Sequence, residues 1–130
     1  MGFWQAKDIA DRVDLGLLEE AQGEIERRYR AAQREALADF LRSRNLLRDG
    51  VSAATVLEGW LTYLAGQNAE FLLVNLEDLW LEPAPQNVPG TWQERPNWQR
   101  KTRHSLEGMR RLRLVTDLLK TISDIRGRMS

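Results

Sequence analysis

EFLLVNL, residues 70–76, is a near-continuous apolar run of strand length with no helix cap inside it. Such runs suit a strand buried on both faces, as in a parallel sheet flanked by helices. Length alone leaves a buried helical turn open. A lone buried strand would strand its own backbone donors and acceptors, and the rest of the chain offers no second convincing strand. The run therefore implies one of two things: it is not a strand, or its partners lie on another part of a larger protein.

Working outward, the segments on either side carry helical periodicity. Upstream, KDIADRVD at 7–14 predicts a short helix that stops near Gly16. From Leu18 to Asn45, apolar side chains recur at Ala21, Ile25, Tyr29, Ala32, Ala36 and Phe40. Steps of three and four place them on one face, which implies core packing or a face that docks against the missing part of a larger protein. Gly23 weakens that helix by roughly 0.5–1 kcal/mol relative to alanine. Arg48-Asp49-Gly50 is a turn signal. Ser52 can then cap a second helix with Val56, Leu57, Trp60, Leu61 and Leu64 inward, and Gly66 is its natural stop. Downstream, a final helix is expected over Ser105–Arg126 with Leu112, Val115, Leu118, Leu119, Ile122 and Ile125 on its inner side.

Between the apolar run and that last helix lies PQNVPGTWQERPNWQRK, residues 85–101. It holds three of the four prolines and two of the five tryptophans. Long loops in compact domains are uncommon, and those that exist are usually functional or disordered. The order helix, helix, strand, loop, helix reads as the end of an alternating β/α fold whose first part is missing.

Composition narrows the classes. Nineteen basic and nineteen acidic residues cancel over 130 residues, which argues against a protein whose main business is nucleic acid or anionic lipid. There is no cysteine, so neither a disulfide framework nor a thiolate metal site is available. The longest purely apolar run, Phe71–Val74, is far short of the roughly 20 residues that cross a bilayer. No basic head precedes an apolar stretch at the N-terminus, so no signal peptide is read and a cytoplasmic location is expected. His104 stands alone among basic residues, without further metal ligands. Residues 95–113 carry seven Lys or Arg against one acid, Glu107. That is read as a solvated helix start rather than a nucleic-acid patch.

The loop supplies a family resemblance. NVPGT at Asn87–Thr91, then PNW at Pro96–Trp98 and the pair Arg100-Lys101, resemble the C-terminal signature of the 4-alpha-glucanotransferases, also called amylomaltases or disproportionating enzymes. LEDL at Leu76–Leu79 resembles the end of that family's last barrel strand. GFWQAKDIADRVDLGLL, residues 2–18, is similar to the stretch that follows its threonine-histidine-aspartate motif. The resemblance implies a (β/α)8 barrel with its site at the C-terminal ends of the strands. It implies retaining transfer of α-1,4-glucan segments between maltooligosaccharides through a covalent glucosyl-enzyme, with neither metal nor organic cofactor.

All three catalytic carboxylates of the family precede the matched region, and no Thr-His-Asp occurs in this sequence. The expectation is a single unit, residues 1–130, forming the C-terminal part of a glucanotransferase barrel. It would be mainly α with one or two short strands: a helical segment over 1–68, the last strand and the loop over 69–104, and a terminal helix over 105–130. Its partners would be the missing barrel portion and the glucan, with self-association through exposed apolar faces. The chain alone is expected to be inactive.

By resemblance, Asn87, Pro89, Gly90, Trp98 and Asp78 bind substrate. Trp98 is expected to anchor the loop by packing. For the loop, the competing reading is that Pro89, Gly90 and Pro96 only turn the chain while Trp98 plugs the barrel rim. For Asp78, the competing reading is a cap on a short helix. Glu77 and Asp78 do not make a retaining pair, because strand neighbours point to opposite faces and that pair must converge across roughly 5–5.5 Å. A non-catalytic helical association module is the alternative function.

Overall fold

A computed structural model describes residues 2–47 and 50–128. Six α-helices are present among them: α1 Gly2–Gln5, α2 Lys7–Asp14, α3 Glu20–Ser43, α4 Ala53–Ala65, α5 Leu106–Met109 and α6 Arg113–Gly127. A 3-10 helix, Leu76–Trp80, lies between α4 and α5. No strand occurs among the described residues, so the expected strand at 71–76, and with it the barrel segment, is overturned. The chain divides into two compact units. One comprises the residues up to Ala36 together with Glu82–Thr102; the other comprises Leu37–Leu81 and the residues from Arg103 on.

In the first unit, α1, α2 and the leading turns of α3 are tied by arginine. Ala6 takes a left-handed conformation, φ 55°, between α1 and α2. Ile9 of α2 is completely buried. The Arg30 guanidinium donates to both Asp8 carboxylate oxygens at 2.9 Å and to the Phe3 carbonyl at 2.9 Å. It also lies 3.9 Å from the Phe3 ring centroid. Arg34 donates to the Trp4 carbonyl at 2.7 Å, and Arg12 pairs with Glu26. A Cβ on Gly23 would lie 2.7 Å from Val13 Cγ2. Close approach, then, is what the helix-weakening glycine provides.

Of the two readings of the α3 stripe, core packing fails at Ile25 and Tyr29. Ile25 is 56% and Tyr29 72% exposed, while Gly23 is buried and Arg30 and Arg34 are half-buried. Periodicity located an apolar stripe, but long arginine stems with carbonyl, carboxylate and ring partners cover the other side of the helix.

Asp8 gives this unit a specific acid sensitivity. The hydrogen bond from Arg30 holds its carboxyl below the ordinary 3.8, against the opposing effect of partial burial. A folded-state value below the unfolded one means a contribution that is present above the unfolded value and lost as pH falls through the folded one. Asp8→Asn should therefore lose less stability than the parent between about pH 7 and about pH 3. The difference is modest because the carboxylate is partly solvated. Urea unfolding of both proteins at each pH measures it; equal losses would remove Asp8 from the account.

The second unit is built on α4. Ser52 Oγ accepts from the Thr55 amide at 3.1 Å, and the Ser52 amide donates to Thr55 Oγ1 at 3.0 Å, a reciprocal capping box. Gly66 follows the last turn. Arg48 and Asp49 of the expected turn lie outside the described residues. Gly59 has a packing reason, since a Cβ there would sit 2.4 Å from the Leu46 carbonyl oxygen. Phe40 meets Tyr63 edge-on at 4.9 Å, and Arg44 lies 3.8 Å from the Phe40 ring centroid. Leu61 and Ala65 of α4, Leu79 and Trp80 of the 3-10 helix, and Val115, Leu118 and Ile122 of α6 form the core.

The same core explains the apolar run. Leu72 and Val74 pack against it, whereas Phe71 is 77% and Leu73 91% exposed. Side chains alternate as in a strand, but among the described residues there is no ladder partner. Arg126 ties down the entry, donating to the Gln67 carbonyl at 3.2 Å and the Glu70 carbonyl at 3.0 Å. Asn75 then accepts from the Glu77 amide at 3.3 Å and opens the 3-10 helix. The cap is therefore Asn75, and the alternative reading of Asp78 as a cap is corrected. The single terminal helix expected over 105–126 is also corrected. Ser105 caps the one-turn α5, and α6 begins after Leu112, whose backbone is extended at φ −79°, ψ 108°. Leu112 is partly buried against the core.

Candidate functional site

The loop of the first unit is a framed structure rather than a slack connection. Its centre is a turn from Val88 to Thr91, closed by the Thr91 amide donating to the Val88 carbonyl at 3.2 Å. Proline at the second position presets φ, and Gly90 at the third has φ 88°, the combination a type II turn requires. Asn97 locks this turn from the far side of the loop. Its Oδ1 accepts from the Val88 amide at 2.8 Å. Its Nδ2 donates to the Thr91 carbonyl at 3.2 Å and to Thr91 Oγ1 at 3.1 Å. Thr91 Oγ1 in turn donates to the Val88 carbonyl at 2.7 Å.

The two limbs are held together below the turn. The Trp98 amide donates to the Gln86 carbonyl at 2.8 Å. Gln86 Nε2 donates to the Arg100 carbonyl at 3.0 Å. Arg100 reaches back to the Ala84 carbonyl at 2.9 Å and lies 3.8 Å from the buried Glu82 carboxylate. Arg95 donates to the Pro85 carbonyl at 2.9 Å. Both limbs of the loop are thereby fixed without regular secondary structure. Each buried backbone group named here has found a partner in a side chain or the opposite limb.

The family model for 4-alpha-glucanotransferase matches residues 1–107 of the chain. The chain belongs to the 4-alpha-glucanotransferase family. No solved structure matches it. The 4-alpha-glucanotransferase match takes in α1–α4, the 3-10 helix, the whole framed loop and the first two residues of α5. No helix among the described residues is long and apolar enough to cross a membrane.

Within this member of the 4-alpha-glucanotransferase family the residues expected at the site divide as follows. Asn87, Pro89, Gly90 and Trp98 all belong to the framed loop of the first unit. Asn87 is half-buried, and none of the hydrogen bonds among the described residues uses its side chain. Pro89 and Gly90 form the turn beside it. Asp78 belongs to the second unit, inside the 3-10 helix, with Asn75 Nδ2 at 3.4 Å from its Oδ2. Trp98 does not anchor the loop by packing: it is 75% exposed, and Asn97 next to it does the anchoring. Trp92 is likewise 79% exposed. His104 packs edge-on against Trp80 at 5.5 Å.

Reading the sequence missed the bracing residues Asn97, Thr91, Arg95 and Arg100. A signal existed, since an asparagine six residues beyond a Pro-Gly-Thr turn has both a donor and an acceptor to offer it. The resulting surface can bind and orient. It carries amides and indole faces, the groups that meet hydroxyls and flat apolar rings.

Proposed function

We propose that this chain is the glucan-holding part of a 4-alpha-glucanotransferase, with Asn87 hydrogen-bonding a sugar hydroxyl of the bound α-1,4-glucan. The observation that carries this reading is the contrast at the turn. Val88, Thr91 and Asn97 are bonded to one another, while the amide of Asn87 takes no part in that network. An amide whose donor and acceptor are both uncommitted among the described residues matches a hydroxyl that also does both. Pro89 and Gly90 set the turn that presents it, and family membership supplies the substrate class.

On this reading the glucan is transferred by a retaining double displacement. One carboxylate forms the glucosyl-enzyme, and a carboxylic acid protonates the leaving oxygen and then deprotonates the acceptor's 4-hydroxyl. Those carboxylates come from outside this chain, which contains no Thr-His-Asp. Its own contribution is orientation, which raises the rate by holding the reacting sugar in register. The exposed Ile25 and Tyr29 on α3 favour a second reading, association of the chain through that face; the two are compatible.

Asn87→Ala in a complete 4-alpha-glucanotransferase should lower transfer efficiency from maltotriose about 2- to 10-fold, the loss of one net hydrogen bond, with the melting temperature little changed. Full activity with earlier melting would make Asn87 a structural turn residue and sink the assignment.

A further inference from the structure

Two tryptophans on the framed loop are largely in solvent, which is an unusual use of the largest apolar side chain. Trp92 and Trp98, at 79% and 75% exposure, both line an open cleft of about 550 Å³, within the size range of ligand sites. The remaining walls come from Thr91, Gln93, Asn97 and Gln99, with Pro96 between them. None of these side chains is ionisable, so the cleft suits a neutral ligand rich in hydroxyls rather than a phosphate, a nucleotide or an acidic peptide. Gln93 and Gln99 are exposed and supply amides; the indoles supply flat apolar faces.

The backbone adds a second, independent observation. Trp98 has φ 61°, a region that a bulky side chain enters at a cost and that clusters at binding and catalytic sites. The surrounding frame enforces it: the Trp98 amide is held by the Gln86 carbonyl at 2.8 Å, and Asn97 before it is bonded to both Val88 and Thr91. Packing does not explain the strain, because the side chain it positions is exposed. Trp92 is aimed by a local contact as well, its amide donating to Glu94 Oε1 at 3.2 Å.

We propose that the Trp92–Trp98 cleft is a second glucan subsite, in which a glucose ring lies on the Trp92 indole while Gln93 and Gln99 meet its hydroxyls. The inference rests on the glucan-holding reading of the loop, but names different residues from the Asn87 turn. A maltooligosaccharide presents the required surface: each ring has an apolar face of C–H groups and an edge of hydroxyls. Trp92 is then a positioning residue for the glucan chain.

The isolated chain contains the whole cleft, so the test needs no activity. Nuclear magnetic resonance of the nitrogen-labelled protein, titrated with maltoheptaose, reads all five indole N–H groups separately. The Trp92 and Trp98 indole resonances should move together, while those of Trp4, Trp60 and Trp80 stay in place. Trp92→Ala should weaken maltoheptaose roughly tenfold, the scale of one aromatic contact, and Trp92→Phe should restore most of it. Circular dichroism of both variants should match the parent, since the side chain is solvent-exposed.

Stationary Trp92 and Trp98 resonances, or unchanged affinity in Trp92→Ala, would overturn the subsite. If the Asn87 and Val88 amides shift while the indoles do not, the subsite fails and the Asn87 reading stands. If the indoles shift but Asn87→Ala transfers at full rate in the complete enzyme, the Asn87 reading fails alone.

Discussion

Asn97→Ala should destabilise the framed loop by about 2–4 kcal/mol, more than any other single change between residues 85 and 100. Three hydrogen bonds disappear at once, each worth roughly 0.5–1.5 kcal/mol. The larger consequence is on the partner: Val88 is only 3% exposed, and its amide loses its acceptor. A buried donor left without a partner costs about 1–3 kcal/mol.

Asn97→Asp should fall between the parent and the alanine variant, because a carboxylate still accepts from Val88 but cannot donate to the Thr91 carbonyl. Chemical denaturation measures the loss, and amide exchange at Val88 locates it. A destabilisation under about 0.5 kcal/mol, the scale of an ordinary surface change, would mean that the turn stands without Asn97.

Leu79→Ala should cost about 2–5 kcal/mol, the range for a fully buried leucine truncated to alanine. Leu79 has no exposed surface and sits in the core with Leu61, Leu118 and Ile122. It joins the 3-10 helix to α4 and α6, so the cavity would fall where three elements meet. Leu73→Ala is the informative control. A strand buried on both faces would make Leu73 a core residue of equal rank, whereas at 91% exposure its truncation should stay within about 0.5 kcal/mol. Thermal and urea unfolding of the two variants side by side separate the structures. Equal and large losses would restore the buried strand.

Those two leucines also show what could be read from sequence and what could not. Helix α4 was legible because its signals are local: Ser52 and Thr55 make the cap within one turn and Gly66 ends it. The Pro89-Gly90 turn was legible for the same reason, since one residue presets φ and the other tolerates φ 88°.

The run at 70–76 was misread because its alternation is real, with Leu72 and Val74 inward and Phe71 and Leu73 outward, but a strand also needs a neighbour. No pattern within seven residues reports one. The core-packing reading of the α3 stripe failed at Ile25 and Tyr29 because arginines with carbonyl and carboxylate partners, Arg30 above all, hold the helix from its other side. Trp98 was given the anchoring role that Asn97 holds, since hydrophobicity predicts burial and cannot foresee a left-handed backbone that turns an indole into solvent.

On the proposed function, this chain holds glucan and leaves bond making to carboxylates it does not contain. The most direct measurement is product analysis after incubating the purified chain with maltotriose, alone and together with the upstream catalytic part of a 4-alpha-glucanotransferase. Neither glucose nor longer maltodextrins should form from the chain alone, and both should form when the catalytic part is supplied, since no glucosyl-enzyme forms without a nucleophile. A ladder of maltodextrins from the isolated chain, above a blank without protein, would contradict that reading.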